Sequence, residues 1–232
     1  MKNKKKKIVL LDAHAIIHRA YHALPGFATK DGDPTGALFG VCTMLFKIIK
    51  DFKPDSIIAC YDLPEKTFRH EAYEAYKGGR GKTDDELVLQ LESSRSIFEA
   101  FNIPIYDKVG FEADDILGTI VEETLDNKDV EIVIASGDMD TMQLISGDKV
   151  VVYTLKKGIK DTVTYNEDAM RDRFGFGPEL LPDYKGLRGD PSDNIMGVPG
   201  IGEKTGTILI SNFGTVENIL DLAKNNPDKL KE

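Results

Sequence analysis

An α/β fold built around a mostly parallel sheet is what this sequence predicts, and three observations predict it. Short apolar, β-branched runs alternate with helical patterns along residues 8–154, as buried parallel strands and their crossover helices do. Three of those runs lead into aspartates: Ile8-Val9-Leu10-Leu11 into Asp12, Ser56-Ile57-Ile58-Ala59-Cys60-Tyr61 into Asp62, and Glu131-Ile132-Val133-Ile134-Ala135 into Ser136-Gly137-Asp138-Met139-Asp140. From Asn166 onward the pattern is helical with glycine-rich interruptions and no clear strand. That stretch reads as a helical lobe appended to the sheet.

In chain order, strand 8–11 is followed by a helical Ala/Ile/His segment at 15–23 and a loop holding Gly26 and Asp31-Gly32-Asp33-Pro34. A helix from Thr35 to Phe52 carries Leu38, Val41, Leu45, Ile48 and Ile49 on one face, the spacing of an amphipathic helix. Strand 56–61 comes next. Residues 65–83 are polar, aromatic and basic, ending in Lys77-Gly78-Gly79-Arg80-Gly81-Lys82; three glycines so close together predict a mobile segment. Asp84-Asp85-Glu86 opens a helix to Asn102, with its acids at the favourable end. A short strand at 103–106, a helix at 112–127, strand 131–135, a helix at 139–146 and strand 149–154 complete a doubly wound pattern.

The 232 residues allow one large domain, or one domain with a small appendage. Hydrophobic residues make up 41% and charged residues 30%, the balance of a soluble globular protein. No apolar run approaches the roughly 20 residues of a membrane span, and the start, Met1 to Ile8, lacks the apolar stretch of a signal peptide. A cytoplasmic location without membrane contact is expected. Cys42 and Cys60 have no ligand spacing and read as small interior groups. The net charge of −9 argues at first against a nucleic-acid partner. Setting nine candidate site carboxylates aside leaves thirty acids against thirty bases, and bases cluster at Lys2–Lys7 and from Arg69 to Lys82.

Glu112-Ala113-Asp114-Asp115 and Asp190-Pro191-Ser192-Asp193 add two acidic clusters. Glu112 and Asp115, like Asp190 and Asp193, are three apart and share a helical face. In an open α/β sheet, ligands bind beyond the carboxyl ends of the strands. Carboxylates gathered there repel one another unless hard cations sit among them. Taken singly, Asp12 or Asp62 is as well explained as a helix cap. Five acidic positions at matching topological places favour metal, and two cations about 4 Å apart suit in-line phosphoryl displacement.

Three stretches carry a family resemblance: Phe68-Arg69-His70-Glu71-Ala72-Tyr73 with Tyr76-Lys77 and Arg80; Phe111-Glu112-Ala113-Asp114-Asp115; and Gly189-Asp190-Pro191-Ser192-Asp193-Asn194 followed by Gly197-Val198-Pro199-Gly200-Ile201-Gly202-Glu203-Lys204-Thr205. Together they resemble the 5′–3′ exonuclease domain of bacterial DNA polymerase I and the related flap endonucleases, from Ile8 to about Leu222. The resemblance implies a PIN-like core at 1–165 with a helical arch over about 65–102, and a helix–three-turn–helix DNA-binding lobe at 166–232. It implies metal-dependent cleavage of DNA near 5′ ends and flaps in replication and repair. Asp12, Asp62, Glu112, Asp114, Asp115, Asp138, Asp140, Asp190 and Asp193 match the ligands of two or more Mg2+ or Mn2+ ions. Lys77 and Arg80 match bases on the scissile phosphate and, with Asp12 and Asp138, the catalytic set. Arg19 and Arg69 match phosphate contacts, and Tyr76 a base-stacking ring.

Gly200-Ile201-Gly202-Glu203-Lys204-Thr205 fails as a P-loop because Glu203 separates Gly202 from the lysine, and Thr205 stands where a dinucleotide fingerprint needs glycine. What remains is a hairpin opening a helix, whose N–H groups at Gly200, Gly202, Lys204 and Thr205 can hold a DNA phosphate. The resemblance adds a K+ held by loop carbonyls there. Asp31-Gly32-Asp33-Pro34-Thr35 imitates an aspartyl-phosphatase pattern but reads as a turn, and His14, His18 and His22 point to packing or DNA proximity rather than zinc. Ala13, Met139 and Met196 depart from the family pattern without removing a carboxylate. The chain ends several helices early for that family, as a short nuclease or a fragment, with a polymerase as partner in cis or in trans. A DNA-structure-binding protein with little activity and a PIN-like RNA nuclease are the alternatives.

Overall fold

A computed structural model describes residues 5–157 and 161–230. Lys2–Lys4 of the N-terminal basic run and the final Lys231-Glu232 lie outside the described residues. In chain order the α/β part comprises β1 (Lys6–Asp12), α1 (Ala13–Ala23), α2 (Gly36–Phe52), β2 (Ser56–Cys60), α3 (Phe68–Ala72), α4 (Asp85–Ala100), β3 (Ile105–Tyr106), α5 (Ala113–Thr124), β4 (Val130–Ala135), β5 (Val150–Lys157) and β6 (Asp161–Tyr165). The lobe comprises α6 (Glu167–Phe174), α7 (Leu181–Arg188), the two-residue strands β7 (Gly189–Asp190) and β8 (Ile195–Met196), α8 (Glu203–Phe213) and α9 (Val216–Asn225).

The sheet order is β3-β2-β1-β4-β5-β6, with β1 parallel to both β2 and β4. The chain therefore winds one way from β1 to β3 and returns to wind the other way from β4, which puts the topological switch point between β1 and β4. Strand periodicity explains the two cores. Val9, Leu11, Val133 and Ala135 face α1, α2 and α4, packing on Ile17, Val41, Leu45, Ile48 and Phe98. Leu10, Ile132 and Ile134 face the other way onto Leu117 and Val121 of α5. That second core runs on into the lobe through Met170, Phe176, Leu181, Tyr184, Leu187, Ile210 and Ile219. Each such side chain contributes about 1.5–3 kcal/mol on burial, so the lobe is seated on the sheet.

Several expectations are corrected. The edge strand β6 was not expected; it pairs antiparallel with β5, which needs only a short connection. The helix expected at 139–146 is a 3-10 segment, Met139–Leu144. The lobe contains a small hairpin, β7 against β8. The run Lys5–Lys7 opens β1, at the end of the sheet opposite the aspartates, and Lys5 pairs with Glu131 at 3.3 Å. Asp31 and Asp33 sit in an exposed turn whose N–H groups bond to Thr29 Oγ1. No described helix is long and apolar enough to cross a membrane.

Candidate metal centre and its basic rim

The strands deliver the first group of carboxylates to the switch point. Asp12 ends β1 and is 5% exposed; its Oδ1 accepts the Ala15 N–H (3.0 Å), and its Oδ2 accepts the Ser136 hydroxyl (2.7 Å). Ser136 Oγ in turn accepts the Asp138 N–H (2.9 Å), so one hydroxyl ties the ends of β1 and β4 together. Asp62, just beyond β2, accepts the Ala113 N–H at the start of α5 (2.7 Å), and its own N–H donates to His14 Nδ1 (3.2 Å). Asp114 lies in the first turn of α5, and Asp140 donates its N–H to Asp138 Oδ1 (2.9 Å). Capping and site-building are thus done by the same aspartates: Asp12 and Asp138 each accept an N–H of the segment that follows them and still stand at the switch point.

Electrostatics shows that these acids share a space. Burial pushes Asp12 up to about 6, against the Ser136 and Ala15 bonds that favour its charged form, and the charges of Asp62 and Asp138 add to the rise. Asp114 is raised well above the carboxylate range by burial and then by Asp12, Asp138, Asp62 and Asp140. Asp140 is raised chiefly by burial, with Lys185 opposing. Buried, mutually repelling hard oxygen donors fit a divalent cation. As they stand, no three His, Cys, Asp or Glu side chains among the described residues close a cage around one point. The set is open, as suits an ion that keeps several of its waters.

The second group is arranged differently, since each of its carboxylates already has a cation. Arg69 holds Asp115 through two bonds (2.7 and 2.8 Å) and lies 3.8 Å from Glu112. Lys77 Nζ donates to Glu112 (2.8 Å), Arg80 to Asp193 (2.7 Å) and Lys185 to Asp190 (2.6 Å). Burial would raise Asp190, but Lys185 and Ser192 overcome it and bring the carboxyl down to about 2. Lys185 also forms an ion pair with Asp140 Oδ1, so one ammonium joins Asp140 and Asp190.

Residues 73–80 are tied to the Ser192–Asn194 turn. Lys77 N–H donates to Asp193 O (3.0 Å), Arg80 Nε to Ser192 O (3.1 Å), Asn194 Nδ2 to Ala75 O (2.8 Å) and Tyr73 Oη to Asn194 O (3.2 Å). Lys77 and Asn194 both take left-handed backbone, at φ 56° and 58°, which non-glycine residues adopt rarely. Tyr76 requires a correction of its own. Its ring is 6% exposed, edge-on to His70, and its hydroxyl donates to Glu112 and Asp193 (3.1 Å each). A ring buried in that way offers no face to a base; the exposed aromatics here are Phe68, Tyr73 and Phe111.

In the lobe, Gly189 (φ 80°) and Gly197 touch back to back, and a Cβ on Gly189 would stand 2.4 Å from Gly197 N. That contact folds the chain into the Gly197–Gly202 turn, from which α8 starts with Gly200, Gly202, Lys204 and Thr205 exposed. Arg19 lies on α1 and lines a groove of about 730 Å3 with His18, His22, Asp138, Lys185 and Arg188. Sequence reasoning missed Ser136, Lys185 and Arg188. Ser136 was legible as the hydroxyl between a strand and its aspartates, and Lys185 as a base in the last turn of the helix that leads to Asp190.

The model of the 5′-3′ exonuclease N-terminal resolvase-like domain matches residues 7–175, and that of the 5′-3′ exonuclease C-terminal SAM fold matches 176–232. DNA polymerase I of Bacillus caldotenax is 44% identical over 229 residues, covering 98% of this chain and 26% of the relative. DNA polymerase I of Bacillus subtilis is 39% identical with the same coverage. The chain thus spans about a quarter of the length of the curated relatives it matches. Among solved structures, the T5 5′-exonuclease with divalent zinc ions bound is 26% identical with a TM-score of 0.75, over 97% of this chain and 83% of that one. The catalytic core of Rad2 in complex with DNA substrate is 18% identical with a TM-score of 0.62, over 98% of this chain and 67% of that one, a likeness of fold.

Proposed function

The chain belongs to the 5′–3′ exonuclease family, and we propose that it is a metal-dependent 5′ nuclease hydrolysing phosphodiester bonds of DNA near 5′ ends and flaps. The observation that carries this reading is the set of Asp12, Asp62, Asp114, Asp138 and Asp140 gathered at the switch point, Asp12 buried and their charges raising one another, with bases of the arch beside them. Asp12, Asp62, Glu112, Asp114, Asp115, Asp138, Asp140, Asp190 and Asp193 would between them hold two or more Mg2+ or Mn2+ ions. When bound, the ions supply hydroxide at neutral pH and offset phosphate charge. Lys77 and Arg80 neutralise charge building on the phosphoryl oxygens, while Arg19 and Arg69 orient neighbouring phosphates.

Gly200, Gly202, Lys204 and Thr205, all exposed, grip the duplex beside the cut through their N–H groups and the Lys204 ammonium, and the loop carbonyls would hold a K+ there. The catalytic unit is residues 1–165 and the DNA-binding unit 166–232. The relatives, each a DNA polymerase I, favour a polymerase in cis, and the role that fits such a nuclease is primer or flap removal, in the cytoplasm. Incubating a 5′-labelled flap duplex with the chain in Mg2+ and in EDTA tests the reading. Short products with 5′-phosphate and 3′-hydroxyl ends, in Mg2+ alone, are expected. Equal cleavage of a single-stranded RNA of the same sequence would instead favour an RNA nuclease.

A further inference from the structure

Most bases at the rim of the centre are engaged with acids. Arg69 holds Asp115, Lys77 holds Glu112, Arg80 holds Asp193, and Lys185 joins Asp140 to Asp190. Arg188 differs. It ends α7 and lines the groove beside Asp138 and Asp140, yet among the described residues it pairs with no carboxylate. Its partner is Tyr184, one turn earlier: the guanidinium carbon stands 5.4 Å from the ring centroid, and Nη1 donates to the Tyr184 hydroxyl at 3.3 Å. A guanidinium has five N–H donors in a planar fork, so one bond to a neutral hydroxyl leaves the rest for a ligand.

The setting of Arg188 selects that ligand. One wall of the groove is α1, with His18, Arg19 and His22, and the other is α7, so the groove runs between the core and the lobe. Tyr184 is 2% exposed and packs on Gly206 in α8. A Cβ on Gly206 would stand 3.3 Å from the Tyr184 ring and 3.7 Å from Arg188 Cβ. Since α8 starts directly after Gly202, Arg188 stands between the acids of the centre and the hairpin. Resting on the reading of the chain as a DNA nuclease, we propose that Arg188 binds a backbone phosphate of the DNA between the metal centre and the Gly200–Thr205 hairpin. Its fork suits two phosphate oxygens, and the buried ring beneath it holds the side chain in place before DNA arrives. The contact is made equally before and during cleavage, so it lowers the DNA concentration needed without speeding the chemical step.

Single-turnover cleavage of a 5′-flap duplex in Mg2+, with the chain titrated at a series of NaCl concentrations, tests the contact. Arg188→Met should raise the half-saturating concentration about fivefold or more, as loss of a charge-assisted hydrogen bond does. The maximal rate should stay within about threefold, as for a contact made equally in both states. The slope of log half-saturation against log salt should fall by about 1. Arg188→Lys, which keeps the charge, should restore the wild-type slope. Lys128→Met removes an equal charge from an exposed residue before β4, at the opposite end of the sheet from the aspartates, and should change neither quantity. Three results would each overturn the contact while cleavage by the wild-type chain keeps the nuclease reading. They are a half-saturating concentration raised less than about fivefold, an unchanged slope, and a maximal rate and Tm that fall together and are not mended by Arg188→Lys. A wild-type chain that neither binds nor cuts the flap overturns both.

Discussion

Replacing Ser136 by alanine removes one oxygen atom from a residue 3% exposed, and the structure gives that atom two jobs. It donates to the buried Asp12 carboxylate at 2.7 Å and accepts the Asp138 N–H at 2.9 Å. A hydrogen bond to a charged group contributes about 1.5–3 kcal/mol, and an orphaned buried donor costs about 1–3 kcal/mol. Because the Asp138 N–H sits near an open groove and gains some water, a loss of about 2–4 kcal/mol is expected. At roughly 2–4 °C per kcal/mol for a chain of this size, Tm in EDTA should fall by about 5–15 °C. Ser93→Ala, which removes an exposed hydroxyl bonded to Leu89 O, should stay within about 0.5 kcal/mol of wild type. Ser136 also orients a candidate ligand, so the Mg2+ concentration for half-maximal cleavage should rise about 10- to 100-fold. A Ser136→Ala chain that melts with Ser93→Ala and keeps the wild-type Mg2+ requirement would refute the reasoning.

Other perturbations separate roles that share one place. Tyr76→Phe removes the donor shared by Glu112 and Asp193 and should cost about 1–3 kcal/mol by thermal denaturation; a stacking tyrosine would instead lose DNA affinity with stability unchanged. Lys77→Ala should lower kcat by about 10²–10³ with a much smaller change in KM, since the interaction matters most as charge develops; equal losses in binding and rate contradict that role. Gly189→Ala puts a Cβ 2.4 Å from Gly197 N on a backbone at φ 80°. It should cost at least about 3 kcal/mol, seen as a lowered urea midpoint, and an unchanged midpoint would mean the hairpin can rearrange.

The parts of this molecule that were legible in its sequence are those governed by local periodicity. β1, β2 and β4 lie where the apolar runs place them, and α2, at Gly36–Phe52, lies where its apolar face does. Asp12, Asp62 and Asp138 were legible because a strand end in a parallel sheet has one place to go. What periodicity could not reveal was partnership across the chain. Nothing local links Lys77 to Glu112, Arg80 to Asp193 or Ser136 to Asp12, at separations of 35, 113 and 124 residues. Tyr76 was misread for the same reason. Beside a glycine-rich stretch it looks displayed, and contacts with His70, Glu112 and, from the lobe, Asp193 enclose it. β6 escaped notice because Asp161-Thr162-Val163-Thr164-Tyr165 is a polar alternation that becomes a strand when β5 is beside it.

The account stands most directly on whether the switch-point carboxylates do chemistry. Cleavage and binding of one 5′-flap duplex, measured in parallel for the wild-type chain and Asp138→Ala in Mg2+, decide it. The account predicts cleavage reduced by at least about 10³-fold, on the scale of losing a metal-centred step, with the dissociation constant changed by less than about threefold. Cleavage by Asp138→Ala at a rate near wild type would contradict it, because the acids at the ends of β1 and β4 would then be caps and nothing more.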